Sequence, residues 1–196
     1  MIEIELKARV SNRLNLINVL DEKATFVQKV SRDDIYYKSP AQVANKIRIR
    51  TEKKEIDGKS EESYLVTYKK KENRQGAAGT ITEVNEEHEC TISDPKVFQL
   101  FLEDSAFTVD LTKHKDVMDW SYTFDSEGKT LTANLELCNI PPLGDFLEIE
   151  ILSPTDEEKT VKFLQTKLLE ILLMVGLSKE DIETRYYSEL LKSRLP

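Results

Sequence analysis

The sequence is poor in the residues that cross-link small proteins or build metal fingers. Its 196 residues include two Cys, two His, one Trp, six Gly and six Pro. Cys90 and Cys138 are too few for a disulfide scaffold and fit a reducing compartment. Only His88 and Cys90 are close together, and His114 and Cys138 stand far from them, so no zinc-ligand spacing exists. Neither Gly-x-x-x-x-Gly-Lys-Ser/Thr nor Gly-x-Gly-x-x-Gly occurs, which excludes those nucleotide loops. The most apolar stretch, 168–177, is broken by Glu170 and is too short to span a bilayer. The first residues carry acid where a leader peptide needs base and apolar length. A cytoplasmic protein with no membrane partner is therefore expected. Basic residues are also in deficit, 28 against 36 acidic, for a net charge of −8. Bulk positive charge is thus unavailable for binding nucleic acid, and no nucleic-acid partner is expected.

What is present is alternation. Apolar residues, 39% of the chain, run along its whole length and suffice for a core. Residues 2–10 place Ile2, Ile4, Leu6 and Ala8 on one side and Glu3, Glu5, Lys7 and Arg9 on the other, as in a half-buried strand. Further strand-like runs lie near 24–38, 44–54, 63–71, 80–92, 106–113, 119–125, 130–138 and 145–152. Ser11 is read as the cap of a helix reaching about Asp21, and Asp94-Pro95 opens another. A longer helix over 156–176 carries Val161, Leu164, Leu168, Ile171, Leu172 and Val175 at helical spacing and ends near Gly176. A short helix is expected over 186–191, with connectors at 55–62 and 72–79. With no repeat or long linker, residues 1–196 read as one domain. The fold class reads as α+β: about eight antiparallel strands in a large sheet able to close into a barrel, with a polar tunnel inside if the charged faces converge and helices packed outside.

Charge is sorted by strand face. Glu3 and Glu5 leave the same face about 7 Å apart, and Glu148 and Glu150 repeat the arrangement near the other end. Between them, Arg48 and Arg50 share a face, and Lys69, Lys113 and Lys115 add further base. One pair of this kind is an ordinary solvated face, but like charges segregated by strand are costly unless something fills the space between them. Carboxylates without a His cluster suit a hard divalent ion, Mg²⁺ or Mn²⁺. Arginines that grip phosphate at two points, with lysines as point charges, suit a phosphate-rich ligand.

These residues resemble a known family. Glu3-Ile4-Glu5-Leu6-Lys7 is similar to the Glu-x-Glu-x-Lys signature of the CYTH domain, the triphosphate tunnel metalloenzymes. Asp34-Ile35-Tyr36-Tyr37, Lys46-Ile47-Arg48-Ile49-Arg50, Leu65-Val66-Thr67-Tyr68-Lys69, Leu143 to Glu150 and Tyr187-Ser188-Glu189-Leu190-Leu191 resemble later family segments in order. The resemblance implies a tunnel that binds a triphosphate (ATP, tripolyphosphate or thiamine triphosphate) with Mg²⁺ or Mn²⁺, in a monomer or homodimer. It places Glu3, Glu5, Glu148 and Glu150 on the metal side and Lys7, Arg48, Arg50 and Lys69 on the phosphate side, with Lys113 and Lys115 standing in the family's Lys-x-Arg. Catalysis would fall to Glu3, Glu5, Lys69, Lys113 and Lys115. The activity implied first is class IV adenylyl cyclase; triphosphate hydrolysis and non-catalytic sensing are the alternatives. Three positions depart from the pattern, the first being Lys115, which keeps the charge of the family's Arg but loses its two-point grip. Asn85 stands where the family often has Arg, and Cys138 where an acid is usual, with Glu136 as its substitute metal ligand.

Overall fold

The computed structural model describes residues 2–41, 46–56, 59–75, 81–126 and 128–194. Eight strands run in chain order: β1 (Ile2–Arg9), β2 (Thr25–Lys38), β3 (Lys46–Ile56), β4 (Lys59–Gln75), β5 (Ile81–Ile92), β6 (Thr108–Ser126), β7 (Lys129–Ile140) and β8 (Gly144–Ser153). They close into a barrel in the order β1-β5-β4-β3-β2-β6-β7-β8, every neighbouring pair antiparallel. Each strand thus has a hydrogen-bonded neighbour on both sides.

The main hydrophobic core lies outside the ring. Ile4, Leu6, Leu135, Leu137, Leu147, Ile149 and Ile151 point outward and are covered by α3 (Glu158–Met174) through Val161, Leu164, Leu168, Ile171 and Leu172. Each such side chain contributes about 1.5–3 kcal/mol when removed from water. Leu16 and Leu20 of α1 (Arg13–Lys23) join the same core beside the buried Trp120. On the opposite wall, Leu102 of α2 (Pro95–Asp104) packs against Tyr37, Ile49 and Val66. Helix α3 ends as its Gly176 implies. That glycine takes φ +84°, and Leu177 N–H and Gly176 N–H donate to the carbonyls of Leu172 and Leu173.

A smaller apolar cluster stops one end of the ring. Val30, Val117, Cys138 and Phe146 share the inward face there and meet Leu190 and Tyr187 of α4 (Tyr187–Lys192). The sequence pattern contained this helix but not its role as a stopper.

Several boundaries move. The runs 106–113 and 119–125 form one continuous strand, β6. Its middle, Lys113 to Asp116, has polar residues on both faces, which hides the alternation. Residues 59–62 and 72–75, read as connectors, extend β4; Glu61 and Glu62 pair in register with Lys54 and Lys53. Residues 57–58 and 76–79 of those connectors, and 44–45 and 80 of the strand runs, lie outside the described residues. The cap of α1 is Asn12 rather than Ser11, its side chain accepting from Asn15 N–H at 3.1 Å. Helix α3 starts at Glu158, two residues later than the pattern suggested.

Candidate active site in the tunnel

Period-two alternation decides what faces inward, so the side chains opposite the outer core line the tunnel. Ion pairs between strands that are not sheet neighbours confirm this, because they must cross the interior. Lys69 of β4 lies 2.5 Å from Glu3 of β1, and Lys115 of β6 lies 2.6 Å from Glu148 of β8. Arg32 of β2 reaches Glu136 of β7, and Arg48 of β3 lies 3.0 Å from Glu87 of β5. Every residue assigned from sequence therefore shares one space: Glu3, Glu5 and Lys7, Arg48 and Arg50, Lys69, Lys113 and Lys115, Glu136, Glu148 and Glu150.

The two chemistries occupy different arcs. Carboxylates concentrate on β5, β1, β8 and β7, and guanidinium and ammonium groups on β4, β3, β2 and β6. The seam between the arcs is tightly paired. Lys115 contacts both Glu136 and Glu148, so its ammonium lies within the cluster of Glu136, Cys138 and Glu148, whose ligand atoms fall within 4.8 Å of one another. Burial alone would raise the Glu148 carboxyl, but Lys115 and Lys113 hold it well below the usual range. Burial likewise opposes ionisation of Glu87, yet Lys69 and Arg48 bring it down to about 2.

Deeper in the acidic arc the balance reverses. Glu5 stands directly opposite Glu150 of β8 in the strand register and directly opposite Glu83 of β5. Burial, then Glu83 and Glu148, pushes the Glu5 carboxyl up to about 7. Burial, then Glu3 and Glu5, pushes Glu150 up to about 8. Burial also raises Glu3 to about 7 against the pull of Lys69. Neither Glu5 nor Glu150 has an ion pair or hydrogen bond with a described residue. Crowded hard oxygen donors short of countercharge are a donor set that fits a hard divalent cation.

The basic arc is built around a residue that lies in a family-like segment of the sequence but has no role in the site read from it. Asp34, fully buried on β2, accepts from Arg50 at 2.7 and 3.1 Å and lies 3.2 Å from Lys113. Arg48 donates to Thr67 Oγ1 at 2.8 Å. Tyr187 closes the apolar end with the ammonium groups of Lys7 and Lys113 over its ring, 4.5 and 5.1 Å from the centroid. Its hydroxyl is 3.6 Å from Cys138 Sγ, and burial pushes that thiol up to about 12. Asp34 sat in plain alternation with Tyr36 and Arg32. The signal was present, but an acid inside the basic arc ran against the sorting rule that found the others.

His114, in contrast, points outward. It is exposed and bonded to Asp33 at 2.7 Å, on the face of β6 opposite Lys113 and Lys115.

A closed antiparallel ring with a charge-divided interior defines a tunnel-type binding protein, and comparison with known proteins names the family. The CYTH domain model matches residues 1–187, and the chain belongs to that family. A solved structure from Pyrococcus horikoshii is similar at 25% identity and TM-score 0.71, over 98% of this chain and 99% of that one. A candidate adenylate cyclase from Vibrio parahaemolyticus matches at 20% identity and TM-score 0.71, over 98% of both chains. A candidate adenylyl cyclase from Hippeastrum, described as having a dominant triphosphatase activity, matches at 18% identity and TM-score 0.60, over 99% of this chain and 97% of that one. No curated protein sequence matches the chain. Among the described residues, no helix is long and apolar enough to cross a membrane.

Proposed function

We propose that this protein is a divalent-metal-dependent enzyme acting on a triphosphate, with ATP cyclisation to cyclic AMP and pyrophosphate as the favoured reaction. The observation that carries this reading is the division of one tunnel wall into a carboxylate arc and a guanidinium-ammonium arc. A metal–triphosphate complex has the matching polarity.

In this reading Glu3, Glu5, Glu148 and Glu150, with Glu136, hold Mg²⁺ or Mn²⁺. The bound ion supplies phosphate charge neutralisation and lowers the pKa of the attacking oxygen. Arg48 and Arg50 orient the phosphates, and Lys7 fixes them from β1. In cyclisation the ribose 3′-oxygen bonds to the α-phosphorus as the bond to the bridging oxygen breaks. Lys69, Lys113 and Lys115 face the charge that grows on departing pyrophosphate. Hydrolysis would use the same tunnel with water as the nucleophile. The dominant triphosphatase activity ascribed to the Hippeastrum protein makes it the reading to test beside the first.

Purified protein incubated with Mn²⁺ and ATP, tripolyphosphate or thiamine triphosphate separates the readings by product. Cyclic AMP supports cyclisation, orthophosphate supports hydrolysis, and binding without turnover makes the protein a sensor. Glu3→Gln and Glu148→Gln are each expected to remove metal-dependent turnover. Retention of activity in both would overturn the site assignment.

A further inference from the structure

Helix α2 carries more apolar surface than the barrel beneath it uses. Its inward side is already satisfied: Leu102 is fully buried against Tyr37, Ile49 and Val66, with Phe98 packed beside it. Asp94 caps the first turn, accepting from Lys96 N–H at 2.8 Å, and Pro95 sets the start. The helix is therefore anchored without its outer face. Yet that face presents Val97, Leu100 and Phe101, which are 65%, 61% and 59% exposed. Single exposed apolar residues need no explanation, but three on one short helix face form a patch of the kind that marks a contact surface.

The order of residues on this face says what fits it. Positions four apart form ridges along a helix. One ridge here is Val97 and Phe101. The other is Lys96, Leu100 and Asp104, with a base at the start, a leucine in the middle and an acid at the end. Lys96 and Asp104 are exposed, and neither has an ion pair with a described residue. Their polarity is the reverse of what a helix itself favours, which is acid near the N-terminus and base near the C-terminus. The single chain gains nothing from it. Such a ridge is, however, complementary to itself when reversed. A two-fold axis through Leu100 sets Lys96 of each copy opposite Asp104 of the other, about 6 Å either side of the centre. Leu100 then meets Leu100, with Val97 and Phe101 alongside. Anionic lipid and nucleic acid fit less well, because Lys96 is the one base on the helix against Glu103 and Asp104.

We infer that α2 is a dimerisation surface: two copies of this chain pack α2 against α2, antiparallel about Leu100, with reciprocal Lys96–Asp104 pairs closing the ends. The inference is independent of the reaction assigned to the tunnel, though it bears on the same wall. Ile49 and Val66, which hold α2, alternate along β3 and β4 with Arg48, Arg50 and Thr67 on the inward face. Contact through α2 thus braces the basic walls of two tunnels from outside.

Sedimentation equilibrium on the intact protein at micromolar concentration reads the mass directly, whichever reaction the tunnel performs. The wild-type chain is expected at twice its monomer mass. Leu100→Glu, which sets like charges together at the centre, is expected to sediment as a monomer. Lys96→Asp is expected to weaken association by about tenfold or more, because it turns acid against Asp104 at both ends. Adding Asp104→Lys restores opposite charges in reversed order and is expected to recover the wild-type dimer. Both charge changes suit the helix dipole and lie at exposed positions, so the fold is kept, and thermal melts verify it. A wild-type monomer overturns the proposal, as does a dimer that survives Leu100→Glu. A monomer that sediments with phosphatidylglycerol vesicles, and loses them on Leu100→Glu, overturns it in favour of a lipid contact. If the double variant does not recover what Lys96→Asp loses, the antiparallel pairing is overturned.

Discussion

Asp34 and Arg50 form a two-point ion pair inside the barrel, with Arg50 Nε 2.7 Å from Oδ1 and one terminal nitrogen 3.1 Å from Oδ2. Lys113 closes on the same carboxylate at 3.2 Å. Asp34 therefore neutralises and aims two of the cations assigned to phosphate. Asp34→Asn is expected to destabilise the fold by about 3–5 kcal/mol, since it leaves buried charge uncompensated. It is also expected to tighten metal-free tripolyphosphate binding, because both cations are released. Chemical denaturation and calorimetric titration measure the two effects separately.

Proton linkage in the acidic arc has a definite sign. Glu5 and Glu150 have pKa values raised by burial to about 7 and about 8, against 4.5 when unfolded. Between those values the folded state binds more protons, so the stability of metal-free protein falls as pH rises from about 5 to 8. Glu87, lowered to about 2, acts oppositely and withdraws its contribution as pH drops through and below 4.5. Melting temperatures in chelator should peak at about pH 4.5–5, where the two regimes meet. With Mg²⁺ present the alkaline decline should flatten, and metal affinity should rise through pH 7–8 with release of protons.

Thiol chemistry reports on the stopper helix. Cys90 is exposed, whereas Cys138 is buried beneath Tyr187 with its thiol pushed up to about 12. Only the thiolate reacts readily. Ellman's reagent is expected to modify Cys90 quickly and leave Cys138 silent in native protein. Tyr187→Ala should open that end and make a second thiol reactive without denaturant.

His114→Ala provides a negative control. The ring sits outside, between Asp33 at 2.7 Å and Asp116 at 3.4 Å. Turnover of any triphosphate should be unchanged, and stability should shift by no more than about 0.5 kcal/mol, as for other surface sites.

Much of this arrangement was legible in the sequence because period two is strict: once Ile4 and Leu6 are outside, Glu3, Glu5 and Lys7 must be inside. The same rule placed Arg48, Arg50, Lys69, Lys113, Lys115, Glu136, Glu148 and Glu150 on one face each. It could not say which strands are neighbours. Glu5 meeting Glu83 on one side and Glu150 on the other depends on β1 lying between β5 and β8, pairings far apart in the chain. Asp34 was hidden for a related reason. Its meaning comes from Arg50 on β3 and Lys113 on β6, which only the ring order brings to either side of β2. The length of β6 was lost where polar residues on both faces removed the contrast that periodicity needs.

The position of the main core on the outer wall has an evolutionary consequence. In most proteins a change of chemistry near the centre disturbs the packing that holds the fold, so the two must vary together. Here odd and even positions of each strand answer to separate demands, one set to α1, α2 and α3 and the other to the tunnel. Inward residues such as Asn85 can change while Ile4, Leu135 and Ile149 keep the ring closed. A shared architecture at 20–25% identity is what such a division permits. New specificities should therefore arise in this scaffold through inward positions alone, with the outer packing left intact.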